Sequence, residues 1–203
     1  MNVKQSDTAI RWEYKALSDL SVTSLFEIYR LRQQVFVIEQ QCIYEDIDAA
    51  DKTALHVLGW IDDRGIGCAS ENASDATKYS MEDSTEENAE ENTEENTEEN
   101  HYPKEQPPIL CAYLRIMGLE NTAQTVSIGR VVIEMGSRRK GVGKQLLSTA
   151  LDYIERIAPE ATITVSAQHH LTDFYQVLGF CVVSDPYDED GIPHVRMVKT
   201  LAR

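Results

Sequence analysis

No apolar run in the 203 residues approaches the roughly 20 that a membrane-spanning helix needs; stretches such as Val131-Val132-Ile133 are only a few residues long. The first residues, Met-Asn-Val-Lys-Gln-Ser-Asp-Thr, lack the apolar segment of a secretory leader, so a cytoplasmic protein is expected. Cysteine is sparse. Cys42, Cys68, Cys111 and Cys181 are scattered without a CxxC pair, which argues against a disulfide framework or a structural metal. All but Cys42 sit in apolar, strand-like runs, where reduced and buried thiols are expected. Basic residues are also scarce, with 19 Lys and Arg against 34 Asp and Glu. There is no basic footprint for nucleic acid. The length suits one medium domain with a real core and is short for two.

The acidity is concentrated. Residues 71–106 hold 11 Glu, two Asp and two Lys, a local charge of −11, and the other 167 residues together carry only −4. Within this stretch, residues 85–100 repeat a four-residue unit, Thr/Ala-Glu-Glu-Asn, too short a period for a solenoid. Its apolar content cannot offset the entropy of ordering, and a helix would set like charges against each other. The expected organisation is a single domain over residues 1–203, interrupted at 71–106 by a disordered acidic insertion. A tolerated loop expansion is the simpler reading, because long insertions cost little. A tail for a cation or a basic partner is the other.

The remaining residues alternate between strand-like and helical patterns. Strands are expected at 11–17, 56–61, 109–117, 125–133, 162–167, 181–184 and 194–201. The insertion would occupy the tip of a hairpin between the second and third. Ser24-x-x-Glu27 reads as a capping box opening a first helix. A strongly amphipathic helix runs from Val142 to Ala158 and stops at Pro159. A short one spans 171–178 and ends at Gly179. The last two strands are joined by the turn-rich segment 185–193. The pattern is that of an α/β or α+β domain, with one sheet flanked by helices.

The chemistry-bearing junction is the strand 125–133, followed by Arg138-Arg139-Lys140-Gly141-Val142-Gly143-Lys144 and then a helix. A helix start offers unpaired N–H groups, glycine permits close approach, and the cations add charge. The pattern fits a phosphorylated ligand. A P-loop fails, because Arg138 stands at its first glycine and Gln145 at its Ser/Thr. A dinucleotide fingerprint fails as well, because Leu146 replaces the third glycine. A basic helix start with no ligand is the bland alternative.

Arg138-x-x-Gly141-x-Gly143 resembles the acyl-CoA pyrophosphate loop, [QR]-x-x-G-x-[GA], of the GNAT superfamily of N-acetyltransferases. Phe174-Tyr175-Gln176-Val177-Leu178-Gly179-Phe180 is similar to that superfamily's F-Y-x-x-x-G-F segment. Three further segments resemble the ElaA-like family within it: Leu31 to Asp48, Ala167 to Tyr175, and Tyr187 to His194. The likeness covers about residues 11–70 and 107–201. One departure from the wider superfamily is Gln168, where Asn is common; the ElaA-like pattern has Gln there too.

The resemblance implies a GNAT-type acyl-CoA N-acyltransferase fold and transfer of an acetyl group from acetyl-CoA to an amine by direct attack on the thioester, with no metal. It implies that Val131, Val132 and Ile133 lie along the pantetheine arm in a gap between the fourth and fifth strands, with the Ile133 N–H polarising the thioester. Arg138, Arg139, Lys140, Gly141, Val142, Gly143 and Lys144 would hold the pyrophosphate, Gln168 would contact the cofactor, and Tyr175 would protonate the departing thiolate. Candidates for the base are Glu39, favoured by its place beside the acyl cleft, then Asp46, Asp48, His56 and His194. The last four are also candidates for the acceptor subsite. Each has a structural alternative as a helix-end acid, turn former or sheet-edge residue. His169 and His170, if in a strand, point to opposite faces and make a poor ligand pair. The acids suggest a cationic acceptor such as a polyamine, an amino sugar or a lysine. The competing class is an acyl-CoA sensor or interaction module on the same fold, since fold alone does not prove turnover. The sequence does not indicate an oligomeric state.

Overall fold

The computed structural model describes residues 9–62, 108–119 and 125–201; the expected insertion at 71–106 and Cys68 lie outside them. Eight strands form one mixed sheet: β1 (Arg11–Ala16), β2 (Leu55–Ile61), β3 (Ile109–Met117), β4 (Thr125–Ile133), β5 (Thr162–Gln168), β6 (Cys181–Val182), β7 (Tyr187–Glu189) and β8 (Ile192–Thr200). Their order is β1-β2-β3-β4-β5-β8-β6, with β7 also paired to β8. Every pairing is antiparallel except β4–β5, whose parallel register requires the crossover that the long helix α2 (Val142–Ile157) supplies. No helix among the described residues is long and apolar enough to cross a membrane.

Strand alternation sends side chains to both faces, and each face has its own helix. On one, the apolar stripe of α2 (Leu146, Leu147, Ala150, Ile154) packs with Ile116, Val126, Ile128, Ile163 and Val165. On the other, Ile28 and Leu31 of helix α1 (Val22–Arg32) pack with Leu58, Tyr113 and Val132. The cap of α1 is Ser21, whose hydroxyl accepts from the Ser24 N–H at 3.0 Å. The box expected at Ser24 is therefore displaced by one turn: Ser24 is the capped residue, and Glu27 pairs with Arg30. Beyond Arg32 the helix widens into a π-helical turn over Gln33–Glu39.

Two other expectations change. The segment 185–193 contains β7, which forms a tight hairpin with β8. Its polar, turn-like composition hides a strand whose partner is only a few residues away. Cysteine burial is also partly reversed. Cys42 and Cys111 are buried, and Cys181 is exposed on the edge strand β6.

The feature that positions the site is the end of β4. A bulge sets Arg130 and Val131 opposite Leu114 alone, because the register passes from Arg115↔Gly129 to Tyr113↔Val132. Arg130 takes a left-handed conformation there, with φ +53°. A bulge bends its strand. Pairing of β4 with β5 accordingly covers only Thr125–Ile128 against Thr162–Val165. Past that point the two strands separate.

Candidate active site

A cavity of about 400 Å³ occupies the region where β4 and β5 part, on the α1 side of the sheet. Val131 of β4, Ser166 and Gln168 of β5, Tyr175 of α3 (Thr172–Val177) and His194 of β8 line it. The Glu134 N–H donates to the Cys111 carbonyl of β3 at 2.9 Å. Strand alternation therefore turns the neighbouring Ile133 N–H toward β5, into the gap. Val132 points its side chain into the α1-side core.

At the end of the gap, α2 begins. Its N-cap Gly141 has φ +80° and offers no side-chain cap. The first helical bond is Gln145 N–H to Gly141 O, so the N–H groups of Val142, Gly143 and Lys144 have no partner in the helix. Arg139, Lys140 and Lys144 are exposed around them, and Val142 is buried. Arg138 donates from Nε to the Ile133 carbonyl at 3.0 Å and forms a two-bond ion pair with Glu39 at 2.6 and 2.8 Å. One residue on, Gln40 accepts from Gln168 at 3.2 Å. The end of the π-helical turn thus reaches both the phosphate-type loop and β5.

Tyr175 is 4% exposed, with its ring held edge-on by Phe174 and Phe180. Its hydroxyl bonds to no group among the described residues, although the side chain lines the cavity. Burial pushes its pKa up to about 12.

A gap between β4 and β5, an uncapped glycine-rich helix start at its end and a tyrosine opening on the same cavity form one constellation. Residues 69–201 match the family model described as "Acetyltransferase (GNAT) domain". The protein ElaA of Escherichia coli K12 is 32% identical over 192 residues, covering 94% of this chain and 96% of that protein. The chain belongs to the ElaA-like family of GNAT acetyltransferases. The crystal structure of E. coli ElaA aligns with a TM-score of 0.68 at 32% identity over 94% of this chain and 99% of its own. An acyl-CoA N-acyltransferase from Pseudomonas aeruginosa aligns with the same TM-score at 28% identity, over 95% and 100%.

In this ElaA-like protein several expected acceptor-side residues are already committed. His56 is 1% exposed and outside the cavity lining. Its Nε2 meets the Asp51 carbonyl at 3.0 Å and its Nδ1 the Tyr113 hydroxyl at 2.8 Å. A carbonyl only accepts, so Nε2 carries the proton, Nδ1 accepts from Tyr113, and neither nitrogen is left for substrate. Burial pushes its pKa down. Glu39 is held by Arg138, whose hydrogen bonds lower its pKa and work against a basic role. Asp46 pairs with Arg32 and Arg130, and Asp48 pairs with Arg115 while capping the 3₁₀ turn Ala49–Lys52. His169 and His170 lie in a 3₁₀ turn and not in a strand.

These aspartates belong to a cluster that the sequence reading missed: Arg32, Arg115 and Arg130 with Asp46, Asp48 and Asp51. Arg32 is fully buried, bonding Asp46 at 3.0 Å, Asp51 at 2.8 Å and the Asp46 carbonyl. Arg115 reaches Asp48 and Asp51 at 2.7–2.8 Å. Three positive and three negative charges balance, which is what permits such burial. The available signal was an arginine inside each of two apolar strands, together with three acids bunched between residues 46 and 51. A second missed group is Ser166, within 2.6 Å of both Tyr187 and Glu189 at the cavity rim.

His194 keeps a free nitrogen. Nδ1 donates to the Ile192 carbonyl at 2.8 Å, which leaves Nε2 as the unprotonated nitrogen of the neutral ring. The ring is buried, stacks on Tyr187 and lines the cavity.

Proposed function

We propose that the protein transfers an acetyl group from acetyl-CoA to an amine. The observation that carries this reading is that Val131, Gln168 and Tyr175 line one cavity where β4 and β5 part, while the uncapped start of α2 at Gly143 lies against Ile133 and Phe174, the neighbours of that cavity. In this reading the pyrophosphate sits on the N–H groups of Val142 to Lys144, with Arg138, Arg139, Lys140 and Lys144 around it. The pantetheine arm lies along Val131–Ile133 and against Gln168. The Ile133 N–H donates to the thioester oxygen, where negative charge develops during attack.

The amine nitrogen attacks the thioester carbon, and the carbon–sulfur bond breaks as the amide forms. The proton lost by the amine goes to Nε2 of His194, and the departing thiolate takes one from Tyr175. Transfer through water returns a proton from His194 to Tyr175, so the cycle closes without net change in the enzyme. His194 replaces Glu39 as the base in this scheme, because its accepting nitrogen is unbonded and Glu39 is neutralised by Arg138.

Calorimetry with acetyl-CoA, followed by CoA release in the presence of an amine panel, tests the proposal. Micromolar binding with release that depends on amine is expected. His194→Gln should retain binding and lose most of the release. Binding without release on any amine would sink the transferase reading.

A further inference from the structure

The buried arginine–aspartate cluster is neutral overall but presents only one sign to the cavity. Arg115 and Arg130 line it, whereas Asp46, Asp48 and Asp51 do not. Two details show that the cations are incompletely satisfied. The Arg115 side chain is 5% exposed, and its Nε is the single buried side-chain nitrogen or oxygen without a hydrogen-bond partner among the described residues. It lies beside cavity-lining Gly129, where a Cβ would stand 3.8 Å from it. Arg130 bonds through Nε and Nη2, leaving Nη1 without a protein acceptor among the described residues. Buried donors normally find acceptors, so an orphan on a cavity wall marks a place for one. The left-handed backbone at Arg130 is the kind of local strain that concentrates at binding sites.

The opposite wall has the other polarity: Glu189 and Asp190 stand there with His194. We propose, building on the transferase reading, that the acceptor is a small free amino acid or short ω-amino acid. Its carboxylate occupies the Arg115–Arg130 end, and its amine faces His194 and the acidic rim. Arg115 and Arg130 are then specificity-determining residues. A polyamine or amino sugar brings no anion to the arginine end. The acids that suggested a cationic acceptor, Asp46 and Asp48, are spent on arginines. A 400 Å³ cavity is of small-molecule size.

The test uses the wild-type protein with saturating acetyl-CoA. CoA release is measured with free amino acids and, for each that responds, with its carboxamide and its decarboxylated amine. Loss of the carboxylate should lower kcat/KM by roughly tenfold or more, as for a charge-assisted hydrogen bond. Gly129→Ala, whose methyl would meet the flexible Met117 Cε at 3.2 Å and the orphan Nε at 3.8 Å, should raise KM for the amino acid by a larger factor than KM for the decarboxylated amine. Equal rates for acid and decarboxylated amine would overturn the inference and leave the transferase standing. Absence of release with every amine would overturn both.

Discussion

At neutral pH the Tyr175 hydroxyl keeps its proton, because burial raises its pKa to about 12. That makes it a weaker acid than a thiol of about 8.5. In the proposed reaction it would therefore hydrogen-bond to the departing sulfur before its proton passes across. Tyr175→Phe preserves the ring and its edge-on contacts with Phe174 and Phe180. It is expected to lower kcat by about 10- to 100-fold, the value of a hydrogen bond to a charged group, with the acetyl-CoA dissociation constant almost unmoved. A loss of melting temperature without loss of kcat would make the tyrosine a packing residue. The arginine cluster has its own signature in pH. Hydrogen bonds from Arg115 hold the Asp48 carboxyl down at about 2, below its ordinary 3.8. Asp51 is lowered too, its bonds to Arg32 and Arg115 outweighing burial. A depressed folded-state pKa contributes stability that is present above the unfolded value and is lost as pH falls through the folded one. His56 adds an earlier step, since burial keeps it neutral and the fold resists its protonation below about 6.5. The melting midpoint should therefore decline gently below pH 6.5 and steeply between about 4 and 2. Asp48→Asn should lower it at neutral pH and flatten the steep limb. A steep limb unchanged in Asp48→Asn would mean that other carboxylates govern acid unfolding.

Helix α2 carries two glycines with different constraints, and the difference yields a clean test. Gly141 sits at φ +80°, so any side chain there is strained even though nothing lies within 4 Å of its Cβ position. Loss of binding in a Gly141 variant would confound strain with blockade. Gly143 has ordinary helical backbone, and a Cβ would meet Phe174 at 3.5 Å and Ile133 at 3.8 Å, normal contacts. Alanine stabilises a helix interior relative to glycine by about 0.5–1 kcal/mol, and a smaller gain is expected at Gly143, the second residue of α2. Gly143→Ala should thus raise the melting midpoint of the free protein and, because the loop pattern admits Ala there, leave acetyl-CoA binding within a few-fold, whereas the bulkier Gly143→Val should weaken it; calorimetry and thermal unfolding check the pair. Unchanged binding in Gly143→Val would move the pyrophosphate elsewhere. Elements were legible where hydrophobic period and punctuation agreed, as in β3, β4 and α2. They were misjudged where local chemistry was ambiguous. Ser21 and Ser24 are both competent caps, and only the course of the preceding chain decides between them. β7 is three polar residues that become a strand because β8 lies alongside. The π-helical turn that brings Glu39 and Gln40 to the site leaves no mark in the residue pattern.

Across the whole molecule, Ile61 at the end of β2 pairs directly with Ile109 at the start of β3. The ends that residues 71–106 must connect are therefore already close, and a short turn can join them. Replacing 71–106 with a few Gly and Asn residues should leave the melting midpoint and acetyl-CoA affinity nearly unchanged; a large drop in either would show that the acidic stretch contributes to the fold. Tyr175 and the α2 loop stand out as site candidates in the sequence because each is a compact local motif. The cluster of Arg32, Arg115 and Arg130 with Asp46, Asp48 and Asp51 could not, because its pairs are as much as 84 residues apart. That is why the sequence offers Asp46, Asp48 and His56 as substrate candidates without showing the partners that hold them: Asp46 and His56 are buried and Asp48 is half-buried. The short pairing of β4 with β5 has a mechanical consequence. The sheet is two panels, β1–β4 and β5 with β8, β6 and β7, joined along a seam of four residue pairs and backed by α2. A molecule lodged in the open part of that seam would act as a splint between the two panels, whose far edges are β1 and β6.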